Sequence, residues 1–302
     1  MSELIYLKKN NNLKGKIFYN KSLANITWLK VGGRAECLFI PRDIEDLSYF
    51  LKYIDIETKI NVFGRLSNVL IRDGGISGIT ILIPTSFSKL EIKNNNKIIA
   101  GSGLLDKNLS YFACDNNLSG FEFLSGIPGN IGGAIAMNAG CHGSETKDIV
   151  DEILILERNG DLKTYNKSDI HFFYRNSSIK KNQIIVEAIF SGKQEDKSVI
   201  KEKMLTIKNM RDNSQPLKLA TGGSIFKNPH GLKAWDLIRT SGLSGYKIGG
   251  AMISPKHNNF FINIGGASAK DFEELGEFVI YKVEKAFGIK LEWEIRLLGD
   301  KS

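Results

Sequence analysis

Gly126-Ile127-Pro128-Gly129-Asn130-Ile131-Gly132-Gly133-Ala134-Ile135-Ala136-Met137-Asn138-Ala139-Gly140 is the densest run of glycine in the chain. Bare backbone at this spacing lets successive N–H groups face one concavity, which suits a pyrophosphate. Two shorter segments share the character. Gly64-Arg65-Leu66-Ser67-Asn68 lies between Asn61-Val62-Phe63 and Val69-Leu70-Ile71 and is soon followed by Asp73-Gly74-Gly75. Gly222-Gly223-Ser224-Ile225 runs into Phe226-Lys227-Asn228-Pro229. None is a dinucleotide G-x-G-x-x-G turn after a strand or a lysine-bearing phosphate loop, and each alone also reads as a tight turn.

The whole chain fits this picture. It has 302 residues, with 30 glycines against 6 prolines, 42% hydrophobic and 25% charged residues. That excludes a disordered, collagen-like or disulfide-built protein and leaves room for about two domains. The net charge of +8 suits an anionic partner or a plain solvated basic surface. Residues Met1–Phe18 carry no apolar run or cleavage signal, and no stretch approaches a membrane span. Cys37, Cys114 and Cys141 are odd in number and far apart, and His142, His171, His230 and His257 do not cluster. No metal site is expected, and the setting is a reducing cytoplasm.

Periodicity predicts three helices. Asp43 caps one with Ile44, Leu47, Phe50, Leu51 and Ile54 on its apolar face. Ser198–Arg211 carries Val199, Ile200, Met204, Ile207 and Met210. Ser268 and Asp271 form a capping-box start for Phe272, Leu275, Val279, Val283 and Phe287, with Gly288 as the stop. Strands are expected at Cys37–Ile40, Ile79–Ile83, Ile98–Ala100, Ile153–Glu157, Ile184–Phe190, Phe260–Ile264 and Leu291–Leu297. Without strict strand–helix alternation the class is α+β, with a boundary in the polar stretch Arg211–Pro216 and surface turns at Asn10–Asn12 and Asn94–Asn96.

Some polar residues have both a functional and an ordinary reading. Arg175 follows Phe172-Phe173-Tyr174 and is aimed at an anion or simply solvated. Ser224 tips a glycine turn but lacks a hydrolase elbow. In a C-terminal strand, Glu292 and Glu294 would share one face, and Trp293 and Ile295 the other. Lys256-His257-Asn258-Asn259 is a binding loop or a plain turn.

Five blocks together resemble the UDP-N-acetylenolpyruvoylglucosamine reductase family, flavoenzymes of peptidoglycan precursor synthesis. They are GIPGNIGGAIAMNAG (126–140), FFYRNS (172–177), GGSIFKNP (222–229), GYKIGGAMISPKHNNFFIN (245–263) and LEWEIRLLG (291–299). The resemblance runs from about Asn25 to Gly299 and matches the shorter family form, lacking a tyrosine-bearing insert. It implies a two-subdomain FAD-binding module of the vanillyl-alcohol-oxidase type plus a C-terminal α+β substrate domain. Residues 1–86 and 87–211 would be the flavin subdomains, 212–290 the UDP-sugar domain, and 291–302 a strand returning to the body.

By the same resemblance Arg175, Ser224 and Glu294 would be catalytic. Gly64, Arg65, Leu66, Ser67, Asn68, Gly126, Ile127, Pro128, Gly129, Gly132, Gly133, Ala134, Asn138 and Gly140 would approach FAD. Tyr174, Lys227, Asn228, Lys256 and His257 would face substrate. NADPH would be co-substrate, and the partner a small UDP-sugar rather than nucleic acid or membrane, with a monomer favoured. Leu66 stands where the family has glycine, Lys30 where it has arginine, and Cys141 where a small apolar residue is usual. The implied chemistry wants Glu294 protonated or paired, since an ionised carboxylate would repel an enolate. Two other readings stay open: a different flavin oxidase on the same fold, and a non-catalytic nucleotide- or anion-binding protein.

Overall fold

The computed structural model describes residues 13–94 and 96–301. The leader reading of the N-terminus, the Asn10–Asn12 turn and Asn95 lie outside them. The chain divides into two compact units. The first comprises the stretch ending at Tyr19, Cys37–Arg65 and Gly78–Asn209; the second comprises Asn20–Glu36, Leu66–Ser77 and the chain from Met210 onward.

In the first unit Asp43 caps helix α1 (Ile44–Tyr53) by accepting from the Asp46 amide at 2.9 Å. Side chains three and four apart then share a face. Leu47, Phe50 and Leu51 are buried, with Phe50 stacked on Phe39 at 4.3 Å. This face packs against Ile79, Ile81, Leu156, Ile184 and Val186. Ile60–Phe63 pairs in parallel with Ile79–Leu82.

An antiparallel five-stranded sheet in the order Leu162–Asn166, Val150–Leu156, Ile184–Ser191, Lys97–Gly101 and Leu90–Asn94 forms the other wall of this unit. Asn94 pairs with Lys97, so the second asparagine patch is the turn of a hairpin. Helices α2 (Asp106–Asp115) and α3 (Ile131–Met137) bury Leu109, Ala113, Ile131 and Ile135 in a core with Ile98, Ile153 and Phe190. Neither helix was marked by periodicity, because α2 is mostly polar and α3 starts inside the glycine run. Helix α4 (Lys197–Ser214) buries Ile200, Met204 and Ile207, while Val199 and Met210 are exposed. The first four residues of the expected boundary stretch Arg211–Pro216 are still helical, and the helix ends at Ser214, ahead of Pro216.

The second unit is an antiparallel sheet ordered Ala220–Ser224, Phe260–Asn263, Ala251–Ile253 and Lys247–Ile248, covered by α5 (Ala234–Thr240) and α6 (Ala269–Phe287). The Ser268–Asp271 capping box forms as expected, and Gly288 closes α6 at φ 70°. Phe272, Leu275, Val279 and Val283 are buried with Phe226, Phe261 and Ile295; Phe287 is exposed. Strand Val69–Ile71 pairs in parallel with Arg296–Leu298. Arg72 holds Glu273 of α6 through two bonds of 2.8 and 2.9 Å, and Asp73 accepts the Ala269 and Lys270 amides at 3.0 and 2.9 Å. Antiparallel pairing with helices to the side is the α+β class expected.

One strand expectation fails. Only Arg296–Leu298 of the C-terminal run is a strand; Leu291–Ile295 is irregular, with a single bridge from Trp293 to Phe226. The Trp293 ring lies 5.1 Å from Phe226 and against Gly276 of α6, where a Cβ would come within 1.8 Å of the ring. Seating that indole bends the chain, so Glu292 and Glu294 do not share a strand face.

Candidate active site

The Gly64 end of one glycine segment meets the long glycine run within the first unit. A Cβ on Gly64 would lie 2.0 Å from Asn130 Oδ1. Asn130 is buried, and its Nδ2 donates to Ser102 O at 2.7 Å. Only glycine fits at position 64 without moving that amide. The neighbouring backbone is partly used up: Ile131 N–H donates to Leu104 O and Gly132 N–H to Ser102 O, both at 2.9 Å, while Gly129 O accepts from the Asp106 amide. Gly133 is exposed, and a Cβ there would meet only Asn130, at 3.3 Å.

Leu66 adopts φ 52°, the left-handed conformation glycine would supply, with its side chain buried. Asn68 donates from Nδ2 to Glu294 O at 3.3 Å. Lys30 also has positive φ, and its Nζ donates to Asn25 O at 2.9 Å. Within the first unit, Gly64 and exposed Gly133 thus leave bare backbone beside Asn130, which suits the close approach of a cofactor.

Arg175 lies in the two-residue turn between Phe172–Phe173 and Asn176–Ser177. Its φ is 56°, a left-handed conformation that non-glycine residues adopt at some cost and that marks functional sites. Its Nη2 donates to Gly140 O at 2.7 Å, and its guanidinium lies 4.9 Å from the Tyr174 ring. Asn138 Nδ2 donates to Phe173 O, and Ser177 Oγ to Ala136 O at 2.9 Å. The end of the long glycine segment is thus the bed of the arginine hairpin. Cys141 Sγ donates to Phe123 O at 3.2 Å.

The third glycine segment lies in the second unit. Pairing with Phe260–Asn263 slips by one residue between Thr221 and Ser224, a β-bulge at Gly222-Gly223. Gly223 has φ 80°. Such a bulge re-aims the following side chain, here Ser224. Ile225 O accepts the Glu294 amide at 2.8 Å, and Lys227 N–H donates to Glu292 O at 2.8 Å. Ser224 and half-buried Glu294 therefore lie on two bonded segments of one unit. Lys227 Nζ pairs with the exposed Glu292 at 3.2 Å.

The remaining predicted residues have structural partners. Asn228 Oδ1 accepts the Ala234 amide at 3.0 Å. Lys256 Nζ donates to Asp212 O, and His257 lies 4.5 Å from the Phe260 ring. Burial lowers the His257 pKa, only partly offset by a backbone hydrogen bond, so the imidazole is neutral near pH 7. Sequence reasoning missed buried Asn259, which accepts the Phe226 amide and donates back to Phe226 O at 2.8 Å. The polar run 256–259 was its only trace. Among the described residues no group of three or more His, Cys, Asp or Glu could hold a metal.

Residues 35–166 match an FAD-binding domain. Together with the glycine segments, this places the chain among the flavin-dependent oxidoreductases. Residues 215–298 match the C-terminal domain of UDP-N-acetylenolpyruvoylglucosamine reductase. The chain is 48% identical to the UDP-N-acetylenolpyruvoylglucosamine reductase of Rickettsia conorii over 95% of its length and 97% of that protein's. The Rickettsia rickettsii protein of that name is also 48% identical over the same shares. The crystal structure of UDP-N-acetylenolpyruvylglucosamine reductase from Thermus caldophilus superposes with a TM-score of 0.82 at 31% identity, over 95% of this chain and 99% of that one. The chain belongs to the UDP-N-acetylenolpyruvoylglucosamine reductase family.

Proposed function

We propose that this chain reduces the enolpyruvyl ether of UDP-N-acetylglucosamine to UDP-N-acetylmuramate, with NADPH as reductant. The observation that carries the reading is the pairing of the Ser224 and Glu294 segments through Ile225 O. It puts a bulge-aimed hydroxyl and a carboxyl on adjacent stretches of chain in one unit, in a chain whose residues 35–166 match an FAD-binding domain.

FAD would be held by the Gly64–Asn68 and Gly126–Ala134 segments and would supply hydride chemistry when bound. Every other task falls to side chains. Arg175 grips the substrate carboxylate with its planar fork and stabilises charge growing on the enolate as the terminal vinyl carbon accepts hydride. Ser224 Oγ donates its proton to the adjacent carbon. A hydroxyl is a weak acid, so the step depends on a strongly basic carbanion and on tight aim, which the bulge provides. Glu294 assists while protonated or paired. Tyr174, Lys227, Asn228, Lys256 and His257 are the proposed sugar-nucleotide contacts, with Asn228 and Lys256 also tied to the chain itself.

On this reading the +8 charge serves three small anions, namely FAD, NADPH and the UDP-sugar. The protein works in the cytoplasm as a monomer, in peptidoglycan precursor synthesis and hence in cell shape and division, without nucleic acid. No helix among the described residues is long and apolar enough to cross a membrane.

The test is optical. Yellow protein should be bleached by NADPH and regain its colour with the enolpyruvyl sugar. In Ser224→Ala, bleaching should stay within about twofold while recovery slows by roughly 100- to 10,000-fold. Equal slowing of both halves would refute the proton-donor role. Rapid recovery with oxygen and none with the sugar would favour the other flavin-oxidase reading.

A further inference from the structure

The family resemblance places Asn138 among the flavin contacts, but its side chain is buried and already fully engaged. Asn138 Nδ2 donates to Glu145 Oε2 and to Phe173 O, both at 3.0 Å, and Asn138 Oδ1 accepts the Lys147 amide at 3.0 Å. The amide orientation is forced, because a flip would set its NH₂ against an N–H and its oxygen against two acceptors. The residue caps helix α3 with φ 43° and ψ 53°, a left-handed conformation that asparagine tolerates. The side chain of Asn138 thus faces the arginine hairpin and the Glu145–Lys147 turn.

Two more bonds join the same segments. Ser177 Oγ donates to Ala136 O, and Arg175 Nη2 to Gly140 O. Residues 136–140 therefore grip the hairpin 172–177 at its base, at the start of its turn and at the guanidinium itself. Glu145 sits beside this grip and pairs with Lys147 at 2.8 Å. Burial alone would raise its pKa. The Lys147 and Asn138 hydrogen bonds, with the charges of Lys147 and Arg175, bring it below the ordinary carboxylate value. Glu145 stays ionised near neutrality and holds the Asn138 amide in place.

We infer that Asn138 is the positioning residue of Arg175, clamping the arginine hairpin to the end of the flavin-loop segment, and is not itself a cofactor contact. The clamp maintains the strained Arg175 turn, whose φ of 56° would otherwise relax. As a catalytic assignment this rests on the proposed reaction, where Arg175 holds the substrate carboxylate. A shift of about 1 Å in such a group costs on the order of 100-fold.

Asn138→Gly is the clean variant, because glycine keeps the left-handed backbone and loses only the side chain. In FAD-loaded protein, hydrogen exchange at the 172–178 amides should rise at least about tenfold, while the Val150–Leu156 and Ile184–Ser191 strands stay protected. Flavin content should be unchanged. NADPH should still reduce the flavin within about twofold of wild type, with reoxidation by saturating enolpyruvyl sugar slowed about 100-fold. In an Arg175→Lys background the same change should add little, since both act through one group.

Unchanged exchange in the hairpin would overturn the clamp, whatever the protein's substrate. So would loss of flavin from Asn138→Gly, which would make the residue a cofactor contact. Because exchange is read without turnover, failure of wild-type protein to use the sugar would count against the proposed reaction and leave the clamp to stand or fall on exchange. Should Asn138→Gly fold poorly, Ser177→Ala removes the neighbouring bond and should give the same pattern at smaller size.

Discussion

Arg175 in the first unit and Ser224 in the second are held in opposite ways. Arg175 sits in a left-handed turn restrained by single hydrogen bonds to Phe173, Gly140 and Ala136. Ser224 follows a bulge at the end of its strand, and two residues on the chain is anchored by Phe226, which lies between Phe261 and Trp293. One group is placed by polar geometry, the other by packed volume. The first arrangement should fail by loss of one bond with little loss of stability. The second should fail by repacking, with stability and rate falling together.

Four substitutions probe that contrast. Arg175→Lys keeps the charge but loses the fork; flavin reoxidation by the enolpyruvyl sugar should slow about 100- to 1,000-fold with the melting temperature nearly unchanged. A large drop in melting temperature would mean that the hairpin bears stability after all. Gly276→Ala puts a methyl 1.8 Å from the Trp293 ring. Overpacking of this kind costs about 1–3 kcal/mol, so calorimetry should show the second unit melting lower, with slower reoxidation alongside. Slower turnover at unchanged stability would erase the distinction between the two regions.

The third substitution concerns a polar group behind the Gly126–Ala134 segment. Asp106 is fully buried beside Gly129, and neither carboxyl oxygen finds a hydrogen-bond partner among the described residues. Desolvation raises its pKa well above normal. The folded state therefore keeps a proton that the unfolded chain releases above about pH 4. Stability from this group falls as pH rises from there through the raised folded value. Asp106→Asn should remove that slope and raise the melting temperature at pH 8 by roughly 2–4 °C, with little change at pH 4. An unchanged slope would show that the carboxyl ionises in the fold.

Leu66→Gly gives the smallest effect. Relief of left-handed strain is worth about 1–2 kcal/mol. It is outweighed by a buried leucine, about 1.5–3 kcal/mol, and by glycine's extra backbone entropy. The net should be a destabilisation of about 1 kcal/mol in denaturant titration, and a stabilisation would mean the leucine is merely tolerated.

The parts of this architecture readable in the sequence are those specified by local chemistry. Asp43, the Ser268–Asp271 pair and Gly288 end helices using their own side chains or backbone freedom, and all three signals hold. Helices α2 and α3 were invisible because their burial is set by distant partners such as Ile98, Ile153 and Phe190. The C-terminal run misled because its alternation was real in sequence but was overridden by the seating of one indole against Gly276. For the candidate site, glycine density marked the segments where backbone lies close to neighbouring chain, such as Gly64 beside Asn130. It did not show that Gly132 spends its amide on Ser102, or that Asn259 bridges both sides of Phe226. Such pairings are long-range and leave no period.

The parallel pairing of Val69–Ile71 with Arg296–Leu298 also bears on synthesis. Arg72 and Gly299, bonded in the finished unit, are 227 residues apart. At about 5–20 residues per second a ribosome needs roughly 10–45 seconds to bridge that gap. Throughout that time the early strand has an unmet edge. The second unit, which carries Ser224 and Glu294, therefore closes only when the final strand emerges, so a prematurely released chain would leave that unit unfinished.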